Sequence, residues 1–197
     1  MSGNVEASNT IEFLHTLGKL KDTPRTGWVE NKIPNVESVA DHMYRMSVLC
    51  MMCPDTTLDK NRMIRMALCH DMAESIVGDI SPGMKVPAEV KFERESTAMK
   101  HMTSLVPALG GEDMKGLWEE YEAQETAESH FVRDMDLLEM IVQAHHYEAS
   151  AEKDLSGFYK SGDRIKHPWA RQILETLKAT SPAKLRAEAA AAAPAVQ

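Results

Sequence analysis

Cysteine is scarce in this 197-residue chain: Cys50, Cys53 and Cys69 are its three thiols, too few and too odd in number for a disulfide framework. That usage fits a reducing compartment. No uninterrupted apolar run reaches membrane length, and the opening Met1-Ser2-Gly3-Asn4-Val5-Glu6 has neither the basic nor the apolar stretch of a secretory signal. The expectation is an intracellular, cytoplasmic protein without membrane contact. Positive charge is also in deficit, 22 Lys+Arg against 30 Asp+Glu for a net charge of -8, which argues against polymeric nucleic acid as a partner. An anionic substrate would then need a local cation. The spacing Cys50-Met-Met-Cys53 invites a redox or zinc reading, yet no second pair follows. Met46, Val48 and Leu49 precede it, so buried thiols are the simpler expectation.

Alternating strands and internal repeats are missing as well, whereas helical periodicity is abundant. Ser8 or Asn9 can cap a segment with Phe13, Leu14, Leu17 and Leu20 on one face. A breaker-rich loop from Asp22 through Pro24, Gly27 and Pro34 follows. Ser38-x-x-Asp41 resembles a capping box and opens a helix to about Met52, and Asp59 caps a third helix that runs to a stop at Gly78. Further helices are expected from Pro87 to Lys100, Asp113 to Tyr121 and Thr126 to Tyr147, with a last one starting at Pro168. Length, 43% hydrophobic and 26% charged residues suit one all-α domain over 1–183, with an Ala-rich, helical or frayed tail at 184–197. Fourteen methionines suggest an adaptable core.

The informative residues are polar groups set in apolar helices: His42, the pair His70-Asp71, and Asp136 within Phe131-Val132-x-x-Met135-x-Leu137-Leu138. A buried carboxylate costs several kcal/mol unless it is paired or bound to a metal. One divalent ion could satisfy all four. On a continuous third helix Glu74, four residues after His70 and three after Asp71, would share their surface patch, and Asp79 would hang just beyond Gly78. Mixed imidazole and carboxylate ligation suits magnesium or a transition metal. The bland readings are a satisfied core histidine for His42 and an i, i+3 ion pair with Arg133 for Asp136. His15, His101 and His130 read as polar-face or capping residues, and His145-His146 as a helix-end pair.

In the loop after the first helix, Arg25 offers a bidentate fork for phosphate and Trp28 a flat face for a base or sugar. The alternatives are a solvated arginine and a tryptophan packed on the core.

Glu37-Ser38-Val39-Ala40-Asp41-His42, the run from His70-Asp71-Met72-Ala73-Glu74 to Gly78-Asp79-Ile80, and Asp136 resemble the HD-domain metal-dependent phosphohydrolases. Within that superfamily they are most similar to the 5'-deoxynucleotidase family, over about Phe13 to Tyr147. The resemblance implies a single compact HD-domain helical bundle, a homodimer, and removal of phosphate from deoxyribonucleoside 5'-monophosphates. It also implies a principal ion, manganese, cobalt or magnesium, on His42, His70, Asp71 and Asp136. Glu74 would be catalytic. In the eukaryotic branch Glu74, Asp79 and the Ile80 carbonyl hold a second ion; Asp79 could instead accept a hydrogen bond from the sugar 3'-hydroxyl. Arg25 and Trp28 would bind substrate, although bacterial members place the Arg and Trp side by side whereas Thr26-Gly27 separates them here.

The chemistry so implied is phosphomonoester hydrolysis, in which an ion neutralises phosphoryl charge and acidifies water while Glu74 moves a proton. Two alternatives stay open on sequence. One is an HD phosphohydrolase for cyclic nucleotides, nucleoside triphosphates or guanosine tetraphosphate. The other is a non-catalytic helical protein with a structural metal.

Overall fold

The computed structural model of the protein describes residues 2–192, with side chains described for 6–192, so the tail beyond Ala192 lies outside the described residues. Among them the regular structure is helical. In chain order the helices are α1 (Ser2–Gly18), α2 (Thr26–Glu30), α3 (Val39–Met51), α4 (Lys60–Cys69), α5 (Glu74–Val77), α6 (Ala88–Ser104), α7 (Gly111–Ala123), α8 (Ala127–Ser150), α9 (Ser156–Tyr159), α10 (Pro168–Ala179) and α11 (Pro182–Ala192). Contacts group the chain into two units, one ending at Val132 and the other starting at Arg133, so the division falls inside α8. None of these helices is long and apolar enough to cross a membrane.

The capping logic holds best at α3. Ser38 accepts from the Asp41 amide and Asp41 accepts from the Ser38 amide, a reciprocal box that satisfies two otherwise orphaned donors. Asp59 likewise accepts from the Arg62 amide and starts α4. Three expectations are corrected. Helix α1 begins at Ser2 rather than at Ser8 or Asn9, because no proline interrupts the preceding residues and a cap residue permits a start without forcing one. The breaker-rich loop contains α2. Pro168 does not start the last helix, since Pro182 opens α11 and carries the start of the Ala-rich tail in helical form to Ala192.

A fourth correction bears on function. The expected helix from Asp59 to Gly78 is interrupted at residues 70–73. Amides of Met72, Glu74, Ser75 and Ile76 bond carbonyls three residues back, on Cys69, Asp71, Met72 and Ala73, which winds the chain more tightly than an α-helix. Gly78 then ends α5 at φ +76°, a left-handed backbone that glycine adopts without a Cβ clash.

In the first unit α3 packs on α4, α4 on α7, and α6 on α7. Met46, Met63, Met66, Met99 and Met102 are fully buried there with Trp28 and Trp118, and the three thiols are buried as well. Burial pushes the Cys50 thiol up to about 12 and the Cys69 thiol to about 11, so neither is a ready thiolate. The second unit is organised by two buried carboxylates. Asp134 accepts from the Lys166 and His167 amides at 3.0 and 2.7 Å and so ties α8 to the residues that lead into α10. Glu148 accepts from the Leu155 amide, the Tyr159 hydroxyl and the Ser181 hydroxyl.

Candidate active site

Two backbone links build the floor of the site. The Arg25 amide bonds the Glu37 carbonyl at 3.1 Å and the Val39 amide bonds the Thr23 carbonyl at 2.9 Å, tying the loop after α1 to the start of α3. Trp28 is 2% exposed and donates its indole N–H to Glu37 at 2.9 Å. Its ring is therefore enclosed, and its structural work is to anchor this loop. Asp79 adds a third tie, accepting from the Thr26 amide at 2.6 Å while its carbonyl accepts from the Thr26 hydroxyl at 2.7 Å. Arg25 at the N-cap of α2 makes no side-chain cap, so Asp79 supplies the missing acceptor from 53 residues away.

This loop carries Arg25 to the carboxylates. Its Nη1 lies 3.4 Å from Asp71 Oδ2 and 3.7 Å from Asp79 Oδ1. His42 comes from the buried face of α3, and its Nε2 lies 3.8 Å from the same Asp71 oxygen. His70, at the end of α4, places Nε2 3.1 Å from it, with the two imidazoles edge to face at 5.4 Å. The Tyr121 ring braces His70 at 5.0 Å. Ligand atoms of His42, His70 and Asp71 all lie within 4.8 Å of one another.

The buried polar atoms fit a cation. Glu74 Oε2 is shut off from solvent without a hydrogen-bond partner, an arrangement that costs about 1–3 kcal/mol, and the equally buried His70 Nε2 has the Asp71 carboxylate at 3.1 Å. A divalent ion would use the imidazole lone pairs of His42 and His70 and the anionic oxygen of Asp71, a donor set suited to magnesium or a first-row transition metal. Burial alone would raise the Asp71 carboxyl, but His70, Arg25 and His42 outweigh it and hold the group well below the usual carboxylate range. Glu74 goes the other way. Burial first, then the charges of Asp71 and Asp79, push its carboxyl well above the ordinary value, against the smaller pull of Arg25 and Lys91. Burial also raises Asp79, which Arg25 and the Thr26 amide partly offset. Two neighbouring carboxyls that their surroundings push in opposite directions are an arrangement suited to acid–base work.

Ile80 is buried after the turn at Gly78. Asp136 stands on α8 in the second unit, with Arg133 Nη1 3.5 Å from its carboxylate, the i, i+3 geometry expected of a helical ion pair. His130 bonds the Gln124 carbonyl at the end of α7, a capping role, and His145 reaches Thr180. On sequence Glu37 counts only as part of the run to His42, without a role, and Lys91 and Glu95 were not singled out, although Glu95 carries a usable signal as a charged residue on the buried stripe of α6 with Ala98, Met99 and Met102.

A family model described as "HD domain" matches residues 17–176. The chain belongs to the HD domain family. It is 47% identical over 182 residues to 5'-deoxynucleotidase HDDC2 of Bos taurus, covering 91% of this chain and 88% of that protein. It is 46% identical over 175 residues to 5'-deoxynucleotidase hdd1 of Schizosaccharomyces pombe, covering 84% and 88%. Among solved structures, a conserved hypothetical protein of Pyrococcus furiosus superposes with a TM-score of 0.71 at 31% identity, covering 86% of this chain and 99% of its own. HD domain-containing protein YGK1 superposes with a TM-score of 0.64 at 28% identity, covering 87% and 86%. His70 and Asp71 are the adjacent His-Asp pair singled out in the sequence, and the tightened turn at 70–73 is the local structure that presents them.

Proposed function

We propose that this HD domain protein is a metal-dependent 5'-deoxynucleotidase, a phosphoric monoester hydrolase that converts deoxyribonucleoside 5'-monophosphates to deoxynucleoside and phosphate. The observation that carries the reading is the convergence of His42, His70 and Asp71 on one spot, beside a buried carboxyl on Glu74 and the guanidinium of Arg25. Relatives 42–47% identical, named as 5'-deoxynucleotidases, support it.

His42, His70 and Asp71 would hold the principal ion, and the family resemblance adds Asp136 as its fourth ligand. When bound, such an ion supplies Lewis acidity toward phosphoryl oxygen and makes water easier to deprotonate. Arg25 then orients the phosphate through its guanidinium fork. Glu74, whose carboxyl burial and the charges of Asp71 and Asp79 push upward, would exchange a proton with the reacting oxygens, taking one from water or giving one to the leaving 5' oxygen. Asp79 either accepts from the sugar 3'-hydroxyl or joins Glu74 and the Ile80 carbonyl around a second ion. Trp28 contributes by holding the Arg25 loop. The ion is manganese, cobalt or magnesium, the assembly a homodimer, and the compartment the cytoplasm.

A single phosphate suits this site better than a polymer, because the chain is net negative and the cations are few and local. Preference for the deoxy sugar requires a pocket that leaves a 2'-hydroxyl unpaired, which costs about 1–3 kcal/mol. A phosphate-release screen tests the reading by crossing the three metals with dAMP, AMP, a 3'-monophosphate and cyclic AMP. The expected result is release from dAMP well above AMP. Activity on cyclic AMP alone overturns the assignment.

A further inference from the structure

Helix α6 packs against α5, the short helix that begins with Glu74. Its buried residues Glu95, Ala98, Met99 and Met102 form an inward stripe at helical spacing, and Lys91, one turn earlier, continues that stripe while Phe92, Glu93 and Arg94 are exposed. Lys91 Nζ lies 3.0 Å from Glu95 Oε1.

This pair is not an ordinary surface i, i+4 contact, in which both heads sit in water and little is gained. The Glu95 side chain is only 7% exposed and that of Lys91 37% exposed. Burying a carboxylate is costly unless a cation meets it, so Glu95 in this position fixes where the Lys91 ammonium stands. The pair also lies within electrostatic reach of the active site. Lys91 lowers the carboxyls of Glu74 and Asp79, and Asp71 in turn acts on both Lys91 and Glu95. Burial would lower the Lys91 ammonium, but Glu95, Asp71 and Glu74 raise it on balance, so it remains a full positive charge.

Charge balance gives that ammonium a task. A phosphate monoester brings up to two negative charges to a site already holding the Asp71 and Asp79 carboxylates, more negative charge than is offset by one divalent ion and an Arg25 whose Nη1 is shared between those two acids. We propose that Lys91 is a second cationic ligand of the substrate phosphate, working with Arg25, and that Glu95 is the positioning residue that holds it there. The proposal rests on the 5'-deoxynucleotidase reading for its substrate, but it predicts phosphate binding as such.

The test uses manganese-loaded protein with inorganic phosphate as the probe, its Kd read by calorimetry and its inhibition constant read against dAMP. K91M is expected to weaken phosphate binding about tenfold or more and to raise the KM for dAMP by a similar factor, with manganese content and Tm near wild type. K91R should recover part of that loss. E95Q should raise the KM by a smaller factor, with little change in kcat. Unchanged phosphate affinity in a folded, manganese-replete K91M overturns the proposal. Loss of manganese from K91M also overturns it, because the lysine would then serve the ion site. Should K91M fail to fold, K91Q and E95Q carry the same comparison. Wild-type protein that binds phosphate but releases none from dAMP would refute the 5'-deoxynucleotidase reading while leaving the phosphate ligand intact.

Discussion

His70 and Ala67 fix a proton. The His70 Nδ1 lies 2.8 Å from the Ala67 carbonyl oxygen, and because a carbonyl only accepts, the ring must carry its hydrogen on Nδ1. In the neutral ring the lone pair is then on Nε2, the buried atom facing Asp71. A backbone carbonyl behind a histidine is a common way to hold an imidazole in the form that ligates metal. Long-range proton–nitrogen NMR on ion-free protein should find the Nδ1–H form at His70, with the Nε2 signal moving on addition of a divalent ion. An Nε2–H form would remove His70 from the ligand set.

Glu74 and Asp71 are shifted in opposite directions, which gives the ion-free protein a defined pH response. A Glu74 carboxyl raised in the folded state keeps a proton that the unfolded chain releases above about pH 4.3, so stability falls as pH rises from there through the raised value. The depressed Asp71 contributes stability that is complete above about pH 3.9 and lost as pH falls toward its folded value. Melting curves of ion-free protein should therefore decline in Tm with rising pH, and Glu74→Gln should flatten that decline. Parallel curves for the two proteins would show that Glu74 is not held protonated.

The same substitution should exchange activity for stability. Glu74→Gln or Glu74→Ala is expected to cut turnover by about 100-fold or more while His42, His70 and Asp71 retain the principal ion. Metal analysis beside steady-state kinetics checks this. Near-normal turnover in ion-replete protein would reassign Glu74 to structure.

Arg25→Ala should chiefly raise the KM for a deoxynucleoside monophosphate, since the guanidinium meets the site through a loop secured independently by the Thr26–Asp79 and Trp28–Glu37 bonds. Those bonds stay in place without the side chain. An unchanged KM would confine Arg25 to neutralising Asp71 and Asp79.

Glu148 offers a control remote from this chemistry. Replacing it with alanine strands the Leu155 amide and the Tyr159 and Ser181 hydroxyls, and should destabilise the protein by about 2 kcal/mol or more. Denaturant unfolding measures the loss. A change within 0.5 kcal/mol, about the scatter of neutral surface substitutions, would mean water replaces the carboxylate.

Helix periodicity and caps were legible because their causes are local: Ser38 and Asp41 are three residues apart, as are Asp59 and Arg62. His42, His70 and Asp71 were legible as polar residues in apolar surroundings, and the structure brings them together. The tightened turn at 70–73 was not, because its residues carry no helix breaker and the winding is set by i→i−3 bonds within a packed core. Trp28 reads in sequence either as a flat face for a base or sugar or as a ring packed on the core, and its indole partner Glu37 becomes a neighbour only through folding. Lys91 and Glu95 were overlooked in a segment that is charged nearly throughout, where burial of two of its residues is a tertiary property.

The central claim is that hydrolysis depends on an ion at His42, His70 and Asp71. The most direct measurement is phosphate release from dAMP by exhaustively chelated protein, before and after manganese, cobalt or magnesium is returned, with Asp71→Ala in parallel. Release should vanish on chelation, return with at least one metal, and stay absent in the variant, which should also bind less metal. Full turnover by rigorously metal-free protein would contradict the account.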